Sequence, residues 1–220
     1  MAQDYVRLDK DNAAVLLVDH QAGLLSLVRD IDPDKFKNNV LALADAAKYF
    51  NLPTILTTSF ENGPNGPLVP ELKELFPDAP FIPRPGQINA WDNEDFVKAV
   101  KATGKKQLII AGTITSVCMA FPSISAVAEG FQVFAVIDAS GTYSKMAQEI
   151  TLARVVQAGV VPIDTAGVCS ELQKTWHRSD AADFAAAYSA IFPPYQLLIE
   201  SYQKAQDVVK NNEMLDSERT

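Results

Sequence analysis

Histidine, cysteine and long apolar runs are all scarce in this 220-residue sequence. The two histidines, His20 and His177, lie far apart and neither has the spacing of metal ligands, so a histidine-rich metal cage is excluded. Two cysteines 51 positions apart make no disulfide framework, which favours a cytoplasmic protein. The apolar runs are much shorter than the roughly 20 residues of a membrane-spanning helix, and no signal-peptide pattern begins the chain. We therefore expect no membrane partner.

Positive charge is also scarce. Lys and Arg number 19 against 27 Asp and Glu, which gives a formal net charge of −8. Duplex nucleic acid requires a basic face that displaces counterions, so a nucleic-acid partner is not expected. A hydrophobic fraction of 48% is enough for a substantial core, and the length fits one domain with a terminal appendage.

Strand-like and helix-like segments alternate along the chain. The run 13–18 is short and continuously apolar, as in a strand buried on both faces of a parallel sheet. Asp32 and Pro33 have the pattern of a helix start, and a second β-rich run covers 53–58. Alternation of this kind predicts an α/β fold, a Rossmann-like three-layer α/β/α sandwich with a mostly parallel sheet. The later predicted segments are a helix capped by Asp92, strands at 107–111, 131–137 and 160–163, and helices at 116–129 and 144–158.

Two regions depart from this alternation. Residues 53–85 hold eight of the 13 prolines, which predicts an irregular, shaped loop with at most a short helix near 72–76. Near the C-terminus, Pro193 and Pro194 separate two predicted helices, and a frayed tail is expected after about residue 210. We interpret 1–180 as a catalytic domain and 181–220 as a helical extension that packs on the domain or on a neighbouring subunit.

Candidate chemistry gathers where predicted strands end, which is where open α/β sheets bind ligands. Cys118 falls in the first turn of a predicted helix, where the helix dipole lowers a thiol pKa to between about 3.5 and 7.5 and produces a nucleophilic thiolate. A buried structural cysteine is the alternative. For Cys169, beside an edge strand, we favour the structural interpretation.

Asp19 follows the first strand, and is either a general base with a pKa raised by burial or a cap of the turn. Arg84 lies between two prolines, and is either a fixed guanidinium that stabilises the thiolate or a solvated loop charge. His20 is expected to bond structurally beside the site. Trp91 either lines a pocket or packs in the core. No G-x-G-x-x-G or Walker pattern follows the first strand, which removes the main support for a nucleotide cofactor.

Three segments together resemble the isochorismatase-like cysteine hydrolases, and most closely the YcaC-like branch, over roughly residues 5–180. They are Val18-Asp19-His20-Gln21, Arg84-Pro85-Gly86-Gln87-Ile88-Asn89-Ala90-Trp91 and Gly112-Thr113-Ile114-Thr115-Ser116-Val117-Cys118. The resemblance implies the isochorismatase-like hydrolase fold and a catalytic triad. Asp19 is then the general base, Cys118 the nucleophile and Arg84 the basic member, where most of the superfamily has lysine.

The same resemblance implies a cis peptide at Thr113-Ile114 and an oxyanion hole formed by the amides of Ile114 and Cys118. Gln21 and Trp91 are expected to contact the substrate. The metal-using amidases of the superfamily carry an Asp-x-His and a further histidine after the second strand, whereas residues 57–63 contain no histidine. We therefore expect no catalytic metal and no cofactor. The branch also implies a homo-oligomer, an octamer of two stacked rings.

The sequence thus predicts a cysteine hydrolase that cleaves an amide-type C–N bond of a small molecule through a thioester. Two alternatives stay open at this point. The same fold would act on an ester, a ureide or an isochorismate-like substrate, or the protein would be a non-catalytic oligomer in which Cys118 senses oxidants. The physiological substrate is not specified by any of these residues.

Overall fold

The computed structural model describes residues 5–211. The chain divides into two compact units, Met1–Lys174 and Thr175–Thr220. Among the described residues, no helix is long and apolar enough to cross a membrane. The role of 181–220 as an extension that packs on the domain or on another subunit stays a prediction.

Within the described residues, the first unit is built on a six-stranded sheet in the order β3-β2-β1-β4-β5-β6, and every neighbouring pair is parallel. The predicted α/β fold with a largely parallel sheet is confirmed. The central strands are completely buried because helices cover both faces. The strands are β1 (Ala13–Val18), β2 (Thr54–Ser59), β3 (Phe81–Arg84), β4 (Gln107–Gly112), β5 (Gln132–Val136) and β6 (Val161–Ile163).

Several of the described helices begin at a side chain that accepts hydrogen bonds from backbone amides of the first turn. The Asp32 side chain accepts hydrogen bonds from the amides of Asp34 and Lys35, which confirms the predicted start of α2. The cap predicted at Asp92 was wrong by one residue, because Asn93 accepts from the Phe96 amide. The helices are α1 (Ala22–Leu25), α2 (Pro33–Tyr49), α3 (Pro70–Leu75), α4 (Glu94–Ala102), α5 (Ala120–Ala128), α6 (Lys145–Gln157), α7 (Thr165–Gln173), α8 (Ala181–Ile191) and α9 (Pro193–Asn211).

The proline-rich region differs from its prediction. Its short helix is α3, but its end is strand β3 rather than irregular loop. Pro83 lies inside this strand, which is possible because β3 is an edge strand and needs no second ladder of amide donors. The other strand proline, Pro162, lies in β6 at the opposite edge of the sheet.

The predicted helix at 116–129 is also divided. A single π-helical turn, Thr115–Met119, comes first, and α5 follows it.

The second unit contains α8 and α9, the two helices predicted on either side of the proline pair, although Pro193 itself begins α9. Aromatic rings hold this unit together: Trp176 stacks on Tyr195 with a centroid distance of 6.0 Å, and Tyr188 meets Phe192 at 4.6 Å. The predicted frayed tail lies outside the described residues, apart from the last residues of α9.

Candidate active site

The centre of the sheet brings the first candidate residue to the edge where parallel strands end. Strand β1 lies between β2 and β4, so the order of strands reverses on its two sides, which is where open α/β sheets form a ligand crevice. Asp19 follows β1 with a φ of 59°, a left-handed conformation that aspartate adopts more readily than most residues. Its amide donates to the carbonyl of Thr57 at 2.9 Å, and its carboxylate is buried.

Arg84, the last residue of edge strand β3, extends its side chain over β2 to reach Asp19. Two strand spacings amount to roughly 10 Å, so only a long side chain spans this gap. One terminal nitrogen donates to both oxygens of Asp19, with 2.6 Å to Oδ2. Nε donates to the hydroxyl of Thr57 at 3.0 Å, and the other terminal nitrogen donates to the carbonyl of Gln87. The guanidinium is thus buried and fixed by hydrogen bonds on all three nitrogens.

Cys118 reaches the same crevice from the π-helical turn that follows β4. Close approach of this turn depends on Gly112, where a Cβ atom would lie 2.8 Å from the backbone carbon of Cys118. The thiol is 7% exposed and donates a hydrogen bond to the Asp19 carboxylate. The structure therefore brings Asp19, Arg84 and Cys118 into one buried cluster.

The protonation of the cluster differs from the sequence expectation. Burial, followed by the charge and the hydrogen bond of Asp19, raises the pKa of the Cys118 thiol well above its usual value. The Ile114 backbone and Arg84 act in the opposite direction but do not compensate. Burial also raises the pKa of Asp19, against the opposing effect of Arg84. The predicted resting thiolate is therefore wrong, because a helix-dipole argument omits the desolvation of a buried sulfur.

The peptide Thr113-Ile114 is cis, as the resemblance implied. A backbone hydrogen bond from Ile114 to the Cys118 sulfur favours the thiolate, which places this amide beside the reacting atom. The Cys118 amide itself donates to the Ile114 carbonyl at 2.7 Å. An oxyanion could accept from the Cys118 amide only if this N–H were shared with the Ile114 carbonyl. The oxyanion hole formed by two amides therefore stays a prediction.

Gln21 is buried and joins the end of β1 to the segment after β2. Its side-chain nitrogen donates to the carbonyls of Ser59 and Gly66, and its oxygen accepts from the Ser59 amide at 2.8 Å. Both N–H groups of the side chain are occupied, so the contacts seen here position the loop. Contact of Gln21 with a substrate stays a prediction.

Trp91 has the contacts of the core-packing alternative. Its indole N–H donates to Glu129 at 2.7 Å, and its rings meet Phe96 and Phe131 edge to face. Contact of this side chain with a substrate is likewise untested.

His20 and Cys169 take structural positions. Burial lowers the pKa of His20 to about 4, and its Nε2 lies 3.0 Å from the Ala139 carbonyl, to which it donates. Burial, together with nearby Asp138 and Asp164, raises the pKa of Cys169 to about 12. A thiol this weakly acidic is a poor nucleophile unless a base takes its proton, and a side-chain hydrogen bond to a carboxylate affects the pKa of Cys118 but not that of Cys169. Within residues 5–211, no group of three His, Cys, Asp or Glu side chains is arranged to hold a metal ion.

Sequence reasoning missed Thr57, which supports the cluster from β2. Its hydroxyl donates to the Ile82 carbonyl at 2.7 Å and accepts from Nε of Arg84. A threonine in a β-rich run is so common that no sequence signal distinguishes it. Thr57 is found only once the register places β3 beside β2.

Comparison with known proteins identifies the family of the chain. The isochorismatase domain family matches residues 13–167. The chain is 66% identical over 202 residues to "Probable hydrolase YcaC" of Escherichia coli (strain K12), covering 92% of this chain and 97% of that protein. The crystal structure of the Escherichia coli YcaC gene product, described as an octameric hydrolase of unknown specificity, superposes with a TM-score of 0.90 at 66% identity, over 93% of this chain and all of that chain (100%).

A second structure is of YcaC from Pseudomonas aeruginosa with hexane-2,5-diol and covalent acrylamide. It has 63% identity and a TM-score of 0.89, over 92% of this chain and 100% of that chain. The family match and these identities over almost the whole length leave one assignment: the chain belongs to the isochorismatase family.

Proposed function

We propose that this protein is a metal-independent cysteine hydrolase that cleaves the C–N bond of a small carboxamide through a thioester on Cys118. The observation that carries the proposal is the hydrogen bond from the Cys118 thiol to a buried carboxylate that Arg84 holds in place. A protonated thiol already bonded to its base needs no thiolate at rest, because proton transfer accompanies attack.

The reaction begins when Asp19 takes the thiol proton and the sulfur attacks the carbonyl carbon. The oxyanion forms beside the Ile114 amide, and one such donor contributes about 3 kcal/mol. Collapse breaks the C–N bond, and the protonated Asp19 gives its proton to the leaving amine. Water then loses a proton to Asp19 and attacks the thioester carbonyl. The C–S bond breaks, the acid is released, and Asp19 returns the proton to the sulfur, which restores the thiol. Arg84 stays protonated throughout and keeps the Asp19 carboxylate aligned.

The Pseudomonas aeruginosa relative supports the choice of a cysteine nucleophile. Its structure holds covalent acrylamide, a small carboxamide whose alkene reacts with thiols. We also propose, from the octameric Escherichia coli relative, that this chain forms an octamer. Light scattering of the purified protein tests the octamer, and a stable monomer would refute it.

Intact-mass spectrometry after incubation with a library of small primary amides tests the proposed activity. We expect a mass increase equal to the acyl group on the wild-type protein and none on Cys118→Ala. Cys169→Ala is the matched control and should retain the adduct. An adduct that persists in Cys118→Ala, or ammonia release without Cys118, would overturn the proposal.

A further inference from the structure

A second crevice lies at the carboxyl ends of β5 and β6, on the other side of the sheet centre from β3. Its volume is about 580 Å³, within the roughly 300–1,000 Å³ range of small-molecule sites. Residues after both strands line it, as do side chains of α6. The three proposed catalytic side chains do not belong to its lining, so its ligand would be distinct from the substrate of the cluster.

The walls of the crevice are largely apolar. Carbon-rich side chains come from the loop before α2, from the ends of β5 and β6, and from α6. They are Ile31, Ile137, Leu152, Pro162 and Ile163. Walls of this kind suit a ligand with a compact aliphatic or aromatic body. The polar groups of the lining then determine which charge that ligand should carry.

The charged groups of the lining are mainly acidic. Asp30, Asp138 and Asp164 line the crevice together with a single cation, Lys145. Asp138 accepts from the amide and the hydroxyl of Thr165, at 2.9 and 2.8 Å. Burial raises the pKa of Asp138, and the charge of Asp164 adds to this effect. A cation placed in the crevice would relieve this accumulation of negative charge.

Asp30 supplies an independent indication of a ligand. The residue is 8% exposed, and its Oδ1 accepts from the Thr142 amide at 2.8 Å. Its other oxygen, Oδ2, is buried and has no hydrogen-bond partner in the part of the chain that the structure describes. Buried polar atoms nearly always have a partner, and a carboxylate oxygen accepts only from a donor. Asp30 lines the crevice, so a rotation of its carboxylate that turned Oδ2 toward the crevice would let an N–H group of a bound molecule satisfy this oxygen.

A metal ion does not fit this lining, because no three acidic, histidine or cysteine side chains among residues 5–211 converge closely enough to coordinate one. From the unpaired Asp30 oxygen, the acidic lining and the apolar walls, we propose that the crevice binds a small organic cation, an amine on a compact apolar body. The crevice is also connected to the catalytic turn: its lining residue Asp30 accepts from the Thr142 amide, and the hydroxyl of Thr142 lies 3.4 Å from that of Ser116. The proposal stands independently of the proposed hydrolase activity.

Benzylamine and benzyl alcohol are suitable probes because they share size and ring and differ in charge. In a ligand-observed NMR titration of the full-length protein, we expect benzylamine to bind about tenfold more tightly than benzyl alcohol, as for a charge-assisted hydrogen bond. Asp30→Asn keeps the acceptor for Thr142 and should remove most of that difference. Asp78→Asn, which removes an exposed carboxylate elsewhere, is the matched control and should change nothing.

Two further variants keep the test decisive if Asp30→Asn folds poorly. Lys145→Gln removes the competing cation from an exposed position and should tighten benzylamine binding about threefold. Cys118→Ala should leave that binding unchanged, which separates this crevice from the catalytic cluster. Equal affinity for the two probes would overturn the proposal, and so would insensitivity to both the Asp30 and Lys145 variants. Benzylamine binding that appears only on dilution to monomers would show that a second copy covers the crevice, and would also overturn it.

Discussion

Acidification should destabilise the protein through His20. This side chain is completely buried, and its pKa in the folded protein is about 4 against an ordinary value of 6.5. The unfolded chain therefore binds a proton at a higher pH than the folded protein does. As a result, the free energy of unfolding falls as the pH is lowered through 6.5 and levels off below about 4.

The size of this effect follows from the difference between the two pKa values. One pKa unit corresponds to about 1.36 kcal/mol, so the full contribution is about 3 kcal/mol, of which about 2 kcal/mol is lost between about pH 7 and pH 5. The structural reason is the position of the ring. Nε2 faces the Ala139 carbonyl, and Nδ1 is buried without a hydrogen-bond partner among the described residues. A proton on Nδ1 would create a buried charge with no acceptor.

Urea denaturation followed by tryptophan fluorescence across this pH range measures the effect. His20→Gln keeps an N–H donor for the Ala139 carbonyl but cannot titrate, so its stability should fall less steeply with acid. His177→Gln removes the other histidine, which is exposed, and should retain the wild-type slope. Equal slopes for wild type and His20→Gln would refute the reasoning, since other carboxylates would then account for the whole pH dependence.

Three substitutions test the cluster and its surroundings. Arg84→Met should lower the free energy of unfolding by about 3–5 kcal/mol, because it leaves the buried Asp19 carboxylate unpaired. The double variant with Asp19→Asn should recover much of this loss in urea denaturation, and no recovery would contradict the pairing. Gly112→Ala should abolish the acylation of Cys118 that mass spectrometry detects, because the new Cβ atom would overlap the Cys118 backbone. Normal acylation would show that the π-helical turn can move to accommodate this atom. Trp91→Phe should cost about 1 kcal/mol of stability for one lost hydrogen bond and leave acylation intact, whereas reduced acylation would support substrate contact.

Much of the fold is predictable from local patterns. The apolar run of β1 indicates a central buried strand, and Asp32 followed by Pro33 locates the start of α2 to the residue. Strand β3 is not predictable in this way, because prolines dominate its neighbourhood. Its pairing with β2 depends on tertiary contacts that tolerate Pro83 at an edge. The π-helical turn before α5 is also not predictable from the sequence, because its hydrophobic pattern is that of an ordinary helix start.

Some features of the candidate site are likewise predictable from the sequence, and others are not. Asp19 and Cys118 both follow predicted strands, and parallel strands end on the same edge, so it is predictable that these two residues meet. Arg84 lies in β3, which local patterns do not predict, so its place beside them is implied by the family resemblance. The protonation state of Cys118 is not predictable from position, because burial and Asp19 outweigh the favourable effects of Ile114 and Arg84. Local sequence predicts that a helix dipole lowers the pKa of a thiol in its first turn. It does not predict how deeply the side chain is buried, and the desolvation that raises the pKa depends on that burial.

The pH dependence of Cys118 alkylation by iodoacetamide, compared between wild type and Asp19→Asn in a Cys169→Ala background, tests the central claim most directly. In the wild type, burial and the Asp19 carboxylate keep the proton on the Cys118 sulfur, so the alkylation rate should still be rising with pH at the ordinary thiol pKa of 9.0. Asp19→Asn removes the charge that disfavours the thiolate and leaves Arg84 uncompensated. The midpoint should therefore move to lower pH while amide turnover is lost. A midpoint that moves to higher pH in Asp19→Asn would contradict the account, because the carboxylate would then not be the group that holds the proton on sulfur.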